Sequence, residues 1–382
     1  MDFRFSDEQR MWNDTVQDFM AREVGQDYTL QHDLSREFPE DVFRKMADLG
    51  WLGLLVPEKL GGMQTDPVMF AIFCEAIGKY SLDTAACIMT SMFTVQNICT
   101  HGTPEQQAQY IAPFLRGDAK FSISISEPQS GSDAAGGRST ARLDGDEWVL
   151  NGNKVWCSGA QLPGATIAIL ARTSQERYDG FSLFLVPNTT PGLHIKKMNT
   201  LVRKSLGTTE FFMDDMRIPK SALLGEVGKG WRYIGEHLDL ERLSIAASQV
   251  GNARTALDDT KKYLSERDAF GKKLSSYQVL KHRMADDETE LAAARLLVYY
   301  AADKLARGEP ANADVAKAKL FTAKTLFQIA FNGMQALGGY AQLPEYHMER
   351  YFREAKHGMV GGGTNEILRS IIAKSMGLGR EG

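Results

Sequence analysis

The chain has 382 residues, of which 43% are hydrophobic, and a formal net charge of −4 at pH 7. This length is enough for two or three packed units. Its 44 basic and 48 acidic residues are mixed along the chain, so we expect no charged field that would gather nucleic acid or an anionic membrane.

The first 118 residues carry the signals of an all-α region. Ser6 and Gln9 form a predicted capping box that opens a helix extending to about Val24. Four further helices are predicted, from Phe38-Pro39 to Gly50, from about Asp66 to Gly78, from Leu82 to Thr100, and from the cap pair Thr103-Pro104 to about Leu115.

A β region begins at Lys120, where Phe-Ser-Ile-Ser-Ile-Ser alternates apolar and polar residues with the period of a half-buried strand. Asp-Gly, Asn-Gly and Pro-Gly turn signals separate the candidate strands that follow. These are predicted at Glu147 to Leu150, Lys154 to Cys157, Thr166 to Ala171, Phe181 to Val186 and Glu210 to Met213. Their spacing predicts a small antiparallel barrel or sandwich.

The helical period returns at about Gly230 and continues to the end of the chain. Long segments near 231–265, 275–307 and 310–337 and a shorter pair predict a four-helix bundle. The predicted fold class is therefore α+β, with a helical domain at 1–118, a β domain at 119–228 and a helical bundle at 229–382.

The four cysteines have no C-x-x-C pairing and no histidines at metal-ligand spacing. We therefore expect buried thiols, with no metal site and no disulfide framework. The N-terminus lacks a basic segment followed by an apolar one, and no apolar run approaches the ~20 residues of a membrane span. The expected location is the cytoplasm, or the mitochondrial matrix if the chain is a mature form.

Glu241 lies inside a predicted helix, on a stripe shared with Leu238, Ile245 and Ser248. A carboxylate facing apolar neighbours is desolvated, which favours its neutral form and suits it as a general base for a weakly acidic proton. On this stretch alone, pairing with Arg242 or projection into water is the more common outcome.

Two loop regions could hold a ligand. The loop at 126–133, Ser-Glu-Pro-Gln-Ser-Gly-Ser-Asp, is rich in hydroxyl and backbone donors. Trp156 and Ser158 follow on one face of the next predicted strand, although core packing is an equally good interpretation of the indole.

Glycine clusters at 338–339 and 361–363 permit close approach of the backbone to a ligand, but each could also be a helix C-cap or tight turn. Arg267, Phe270 and Gln278 lie in one predicted connection between helices, which could be a plain surface loop. No Rossmann fingerprint follows a predicted strand, and no Walker A spacing is present.

Taken together, these segments resemble the acyl-CoA dehydrogenase family of flavoproteins over essentially the whole chain. The loop at 126–133 is similar to the family's T-E-P-x-A-G-S-D, with serine for the first threonine, and Lys154-Val-Trp-Cys-Ser resembles its K-x-W-I-T strand. The segment 267–271 matches R-x-x-F-G, and 335–339 matches Q-x-x-G-G. The resemblance implies bound FAD and a homotetramer built as a dimer of dimers.

The resemblance also implies roles for individual residues. Residues expected to bind FAD are Ile125, Ser126, Ser132, Trp156, Ser158, Arg267, Phe270, Gln278, Gln335, Gly338, Gly339, Thr364 and Glu366. Arg267, Phe270 and Gln278 would reach the FAD of a neighbouring subunit. Ser132, Asp239 and Arg242 are expected to contact the substrate.

The chief departure from the family concerns the base. Many members carry a glutamate directly before a Gly-Thr pair, where this chain has Gly362. A branch similar to isovaleryl-CoA and long-chain acyl-CoA dehydrogenases places its glutamate on the first long helix of the C-terminal bundle, just before an arginine. Glu241-Arg242 matches that arrangement, so Glu241 is predicted to be the base, and the backbone N–H of Gly362 is predicted to bind the thioester oxygen.

The implied reaction is α,β-dehydrogenation of an acyl-CoA to a trans-2-enoyl-CoA, with hydride passing to flavin N5 and electrons to an electron-transfer flavoprotein. By resemblance, residues 84–100 line the acyl cavity, and they include no arginine or lysine, which argues mildly against a dicarboxylic acyl group. Two alternatives stay open: a relative using the same site for oxidase or elimination chemistry, and a flavin-binding protein without catalytic activity.

Overall fold

The computed structural model describes residues 4–379. Its N-terminal region is all-α, as predicted, and consists of α1 Asp7–Phe19, α2 Gly25–Ser35, α3 Glu40–Asp48, α4 Pro67–Gly78, α5 Leu82–His101 and α6 Pro104–Leu115. The capping box of Ser6 and Gln9 is confirmed. The helix it opens leaves α-helical geometry after Phe19, because a π-helical turn, Met20–Val24, joins α1 to α2.

Short 3₁₀ turns complete the helical structure of the described residues. They are Trp51–Gly53, Glu58–Leu60, Ala134–Gly136, Lys220–Ala222, Leu274–Ser276, Gly338–Gln342 and Pro344–Tyr346.

The central region is an eight-stranded sheet. Its strands are β1 Phe121–Ser124, β2 Thr140–Asp144, β3 Glu147–Ser158, β4 Thr166–Arg172, β5 Phe181–Pro187, β6 Leu193–Met198, β7 Thr208–Pro219 and β8 Leu223–Leu224. The order is β6-β7-β3-β2-β4-β5-β8, with β1 pairing on β4. Inward-facing side chains of β3, β4, β5 and β7 share one buried core that includes Leu150, Ile169, Phe184 and Phe211.

The sheet is mixed, where the sequence predicted a purely antiparallel one. β1 runs parallel to β4, and β2 meets β4 in parallel at Thr140 and Arg172. Two neighbouring parallel strands need a crossover connection rather than a hairpin. The segment that contains β2 and β3 is the crossover between β1 and β4.

The prediction of two short strands around Asn151-Gly152 is wrong, because β3 continues through this pair. The pairing with β7 shifts register between Leu150 and Gly152. Gly152 takes φ +136°, and a Cβ there would lie 2.7 Å from Cα of Ser139. The Asn-Gly pair therefore forms a β-bulge instead of a hairpin turn. The strands β2, β6 and β8 were not predicted; β6 is an edge strand with few buried residues.

The C-terminal helices confirm the predicted long segments. They are α7 Gly230–Glu266, α8 Gln278–Ala306, α9 Asn312–Leu337, α10 Met348–Gly358 and α11 Asn365–Ser375. A small hairpin of β9 Asp268–Ala269 and β10 Lys272–Lys273 lies between α7 and α8, and α9 packs against α8, α10 and α11. The α+β fold class, with helical regions on either side of a sheet in the chain, is confirmed.

Packing groups the described chain into two compact units. One unit combines 4–34, 66–85 and 239–379, and the other combines 35–65 and 86–238. The domain boundaries at 118 and 228 stay a prediction. All four cysteines are buried free thiols, as expected. Within residues 4–379, none of the helices has both the length and the apolar character to traverse a membrane.

Two glycines let α4 and α7 cross at very short range within the first unit. A Cβ at Gly251 of α7 would lie 1.9 Å from the carbonyl oxygen of Glu75, and one at Gly78 of α4 would lie 2.4 Å from that of Ser248. These neighbours are backbone atoms and cannot rotate away. The position of α7, which carries Glu241, therefore depends on glycine at both points.

We expect Gly251→Ala to lower the free energy of unfolding by roughly 3 kcal/mol, because the added methyl group would push two helix backbones apart. The matched control is Gly235→Ala on the same helix, where a Cβ would have open space around it and better helix propensity should stabilise by about 0.5–1 kcal/mol. Thermal and urea unfolding measure both variants. Equal stability of the two variants would contradict the close crossing.

Candidate functional site

The predicted site residues fall in both compact units. In the first unit, Glu241 lies on α7 and is half-buried. No hydrogen bond or ion pair reaches its carboxylate from any residue in 4–379, while its backbone carbonyl accepts from Ser244 Oγ at 2.7 Å. Burial raises the pKa of Glu241, and the charges of Arg242 and Lys319 oppose that rise. This carboxylate is unpaired and shifted toward the pKa range of a useful base.

Arg242 is buried and contacts the glycine turn at 361–363. Its Nε donates to the carbonyl oxygen of Gly362 at 3.2 Å, and its Nη1 lies 3.7 Å from Oδ1 of Asp239. Asp239 in turn accepts from Asn312 Nδ2 at 2.6 Å. Arg242 thus holds the glycine turn, and Asp239 in turn contacts Arg242.

Lys319, on α9, is fully buried in the same place. Its Nζ donates to the carbonyl oxygens of Gly361 and Gly363, at 2.6 Å each. Burial, with a further contribution from Arg242, lowers the pKa of Lys319 to about 8, and Glu241 opposes that shift. Three consecutive carbonyls, at 361, 362 and 363, are therefore held by two cations.

This arrangement determines which way the Gly362 N–H points. All peptide bonds in the described chain are trans, so a carbonyl and the N–H of the next residue point in opposite directions. Holding the Gly361 carbonyl on Lys319 directs the Gly362 N–H away from that cation. The N–H of Gly362 donates to no group within 4–379.

A side chain at Gly362 would need both a strained backbone and a shift of Ile245. The φ of Gly362 is +67°, which favours glycine, and a Cβ would lie 2.5 Å from Cδ1 of Ile245. Ile245 is one helical turn after Glu241, so a side chain at 362 would point at the stretch of α7 that carries the predicted base.

In the second unit, a buried ion pair fixes the loop at 126–133. Lys154 Nζ donates to Glu127 at 2.9 Å, and both side chains are almost fully buried. Glu127 also accepts from the N–H groups of Arg138 and Ser139, at 2.6 and 3.0 Å. Burial opposes ionisation, but Lys154 and these N–H groups lower the pKa of Glu127 to about 2.

The loop is also tied to β3 through its backbone. Lys154 Nζ donates to the carbonyl of Ile125 at 3.1 Å, and Val155 N–H donates to that of Ser126 at 3.1 Å. Ser132, at the far end of the loop, is exposed. These contacts leave the tip of the loop accessible while its base is rigid.

Trp156 projects from β3 instead of packing in the core. Register with β7 shifts between Lys154 and Cys157, and Trp156 sits in this bulge with φ +63°. The residue is 60% exposed, which excludes the core-packing interpretation. Ser158 ends the strand half-buried, and its carbonyl accepts from Ser122 Oγ at 2.5 Å. An exposed indole held by a strained backbone is a flat surface available to a planar ligand.

A surface pocket of about 560 Å³ lies in the first unit, between the end of α7 and the end of α9. Its lining includes Arg267, Gly338 and Gly339, with Tyr263 and Tyr340. The guanidinium of Arg267 lies 5.5 Å from the centre of the Tyr340 ring. A cation, open glycine backbone and aromatic rings fit a dinucleotide such as FAD, whose phosphates and purine need these partners.

Phe270 stands at the tip of the β9–β10 hairpin. Phe270 and Gly271 take φ values of +52° and +77°, the pattern of a two-residue hairpin turn that suits glycine or asparagine. The phenylalanine is 98% exposed. Phe270 thus combines a large apolar ring, an unfavourable backbone conformation and full contact with water.

The remaining predicted residues are not gathered into that pocket. Gln335 is exposed on α9 and Gln278 is the exposed first residue of α8. Thr364 caps α11 by accepting from Ile367 N–H at 3.2 Å. Glu366 is largely exposed and pairs with Arg369 at 3.0 Å.

Sequence reasoning missed Lys319 and Glu127. The sequence signal for Lys319 was a lysine inside an apolar helical stripe. Its partners, Gly361 and Gly363, lie over 40 residues further along the chain, so the sequence did not identify them. Glu127 was visible only as part of a loop motif, and its role depends on Lys154, 27 residues away.

Comparison with known proteins identifies the class. Three family models match: the acyl-CoA dehydrogenase N-terminal domain at 6–118, its middle domain at 122–216 and its C-terminal domain at 228–377. The mitochondrial short-chain specific acyl-CoA dehydrogenase of Bos taurus is 35% identical over 366 residues, which cover 95% of this chain and 89% of the relative. The chain therefore belongs to the acyl-CoA dehydrogenase family, whose members are FAD-dependent oxidoreductases.

Two further relatives extend the comparison. The structure of butyryl-CoA dehydrogenase from Megasphaera elsdenii superposes with a TM-score of 0.92 at 27% identity, covering 98% of this chain and 100% of that one. The caffeyl-CoA reductase-Etf complex subunit CarC of Acetobacterium woodii is 32% identical, covering 97% of this chain and 98% of the relative.

We expect Lys319→Met to lower the free energy of unfolding by roughly 3 kcal/mol, because two buried carbonyls lose a charged donor. Turnover of acyl-CoA should fall more than FAD content, since the glycine turn loses its orientation. The matched control is Lys317→Met, two residues earlier, where a half-exposed lysine pairs with Asp314 and the cost should stay below about 1 kcal/mol. Denaturant unfolding and steady-state kinetics measure both; similar losses in the two variants would contradict the role of Lys319.

Proposed function

We propose that this protein catalyses the α,β-dehydrogenation of an acyl-CoA thioester to a trans-2-enoyl-CoA, with Glu241 as the base. The observation that carries the proposal is the unpaired, pKa-raised carboxylate of Glu241 beside a glycine turn whose carbonyls are held by Arg242 and Lys319. When bound, FAD supplies the acceptor for the hydride that leaves the β-carbon.

Glu241 removes the α-proton, and the electron pair of that C–H bond forms the new double bond. A thioester α-proton is too weakly acidic for a free carboxylate, so the developing charge on the thioester oxygen must be stabilised. The Gly362 N–H is the donor we assign to this oxygen. Lys319 and Arg242 act through the turn by holding the carbonyls of Gly361 and Gly362, which keeps that N–H directed.

The raised pKa of Glu241 serves the proton transfer, because a more basic carboxylate takes a weakly acidic proton more readily. An acyl chain that excludes water would raise this basicity further. Ser132, Asp239 and Arg242 remain our candidates for contact with the substrate.

For the cofactor, we assign the exposed face of Trp156 and the loop at 125–132 to the flavin ring. We assign the pocket around Arg267, Gly338 and Gly339 to the phosphates and adenosine of the FAD of a neighbouring subunit, as the resemblance implies for Arg267. Ser158, Gln335, Thr364 and Glu366 stay candidates on the family pattern alone. The butyryl-CoA and short-chain relatives support a CoA thioester as substrate, and the Etf-complex relative supports an electron-transfer flavoprotein as the acceptor of electrons.

We expect Glu241→Gln to bind acyl-CoA and retain FAD but to lose nearly all flavin bleaching under anaerobic titration with a panel of short, branched, aromatic and long acyl-CoAs. The control is Asp258→Asn, a half-exposed carboxylate on the same helix that pairs with Arg254, which should bleach like wild type. In wild type, the bleaching rate should fall as pH drops through the raised pKa of Glu241, since only the ionised carboxylate accepts a proton.

Bleaching of Glu241→Gln at the wild-type rate would move the base elsewhere. Absence of bleaching in wild type with every thioester would point to the non-catalytic alternative. Rapid reoxidation by oxygen, without an electron-transfer flavoprotein, would point to the oxidase alternative.

We also propose a homotetramer in which Phe270 inserts into a neighbouring subunit, with Arg267 and Gln278 close to that contact. The full exposure of Phe270 and its positive φ support this proposal.

We expect Phe270→Gly to shift the protein to a smaller assembly and to weaken FAD retention by about tenfold or more, because the ring is lost. The hairpin itself should be kept, because glycine tolerates the positive φ at this position. The control is Phe212→Ser, which removes another partly exposed ring, on β7. Sedimentation velocity and FAD content after desalting measure both. An unchanged assembly in Phe270→Gly would refute the insertion.

A further inference from the structure

A cluster of two histidines and a glutamate lies in the second unit, and none of the three residues has been assigned a role above. His101 is the last residue of α5, while Glu236 and His237 lie near the start of α7. One ligand atom from each lies within 4.8 Å of the others. Because 135 residues separate His101 from Glu236, the sequence alone gives no metal-ligand spacing here.

The ring of His237 has a nitrogen without a partner. Its Nε2 is buried and makes no hydrogen bond within residues 4–379. The lone pair of this nitrogen is therefore not used by any described residue and can bind a metal ion.

The other two groups are held in place by neighbours. The ring of His101 stacks on Tyr233 at 3.7 Å between centres, and its Nε2 lies 2.8 Å from Oε2 of Glu236. The second oxygen of Glu236 accepts from Arg232 Nε at 2.9 Å. Such outer contacts orient metal ligands.

The Tyr233 ring is itself fixed, because its hydroxyl accepts from Glu226 N–H at 3.1 Å. The Glu236 side chain is 32% exposed, which leaves solvent access for a water ligand.

We propose that His101, Glu236 and His237 bind a divalent transition metal of the Zn²⁺ class. Two imidazole nitrogens and one carboxylate oxygen form the ligand set of open zinc sites, with water in the fourth position. Ligand atoms of such a site lie about 3.4 Å apart, given metal–ligand bonds of about 2.1 Å. The three ligand atoms here lie within 4.8 Å of one another, and small side-chain rotations would bring them to that distance. Mg²⁺ and Ca²⁺ prefer oxygen ligands and are not expected to bind.

Bound metal would join the end of α5 to the start of α7. His237 is one helical turn before Glu241, so the metal would also restrain the segment leading to the predicted base. The proposal does not depend on the proposed function, and its test needs no turnover.

The test is calorimetric titration of the chelator-treated, full-length flavoprotein with Zn²⁺, with Mg²⁺ for comparison. We expect one Zn²⁺ per chain, a higher thermal unfolding midpoint with Zn²⁺, and no response to Mg²⁺. His237→Ala and His101→Phe should weaken Zn²⁺ binding by about tenfold or more. The phenylalanine keeps a ring to stack on Tyr233, and Glu236→Gln provides a third variant that changes only one partly exposed group.

The matched control is His194→Ala, which removes an exposed histidine on β6 and should bind Zn²⁺ like wild type. Circular dichroism and FAD content show that each variant is folded. The proposal is overturned if wild type binds no Zn²⁺ saturably, or if the ligand variants that fold and His194→Ala all bind with wild-type affinity, which would indicate an adventitious ion only.

Discussion

The buried cation of Lys319 is the constraint around which the base region is built. A lysine without solvent contact is costly unless its charge is satisfied, and here the backbone carbonyls of Gly361 and Gly363 satisfy it. The same contact decides the direction of the peptide planes in the turn. Two side-chain cations thus hold the glycine turn, because Arg242 binds the carbonyl of Gly362 between the two carbonyls that Lys319 binds.

The two cations also act on Glu241. Burial raises the pKa of the Glu241 carboxylate, and the charges of Arg242 and Lys319 oppose that rise. The close crossing of α4 and α7 at Gly78 and Gly251 gives this part of α7 little freedom to shift. Rigid packing behind the carboxylate and an ordered turn beside it would serve the proton abstraction that we propose for Glu241.

Two large side chains that project into solvent belong to residues with a strained backbone. Trp156 and Phe270 both take positive φ, and both are large, exposed and apolar. Conformations of this kind persist only where the surrounding structure fixes them. For Trp156 the support includes the buried pair of Glu127 and Lys154, and for Phe270 it is the two-strand hairpin.

The sequence by itself determined the long helices, five of the ten strands within residues 4–379 and the residues worth examining. Capping boxes, apolar periods and turn residues act over a few positions, so Ser6, Thr103 and the long C-terminal helices could be read directly. Glu241 stood out because a charge on an apolar stripe is a local anomaly.

Only the tertiary structure decided the parallel pairing of β1 with β4, the bulges at Gly152 and Trp156, the cations on the glycine turn, and the meeting of His101 with His237. The physical reason is the distance along the chain between the groups that interact. Backbone hydrogen bonds within a helix are set by neighbours in sequence, whereas the partner of a buried charge or an extra strand residue is set by packing between segments far apart in the chain.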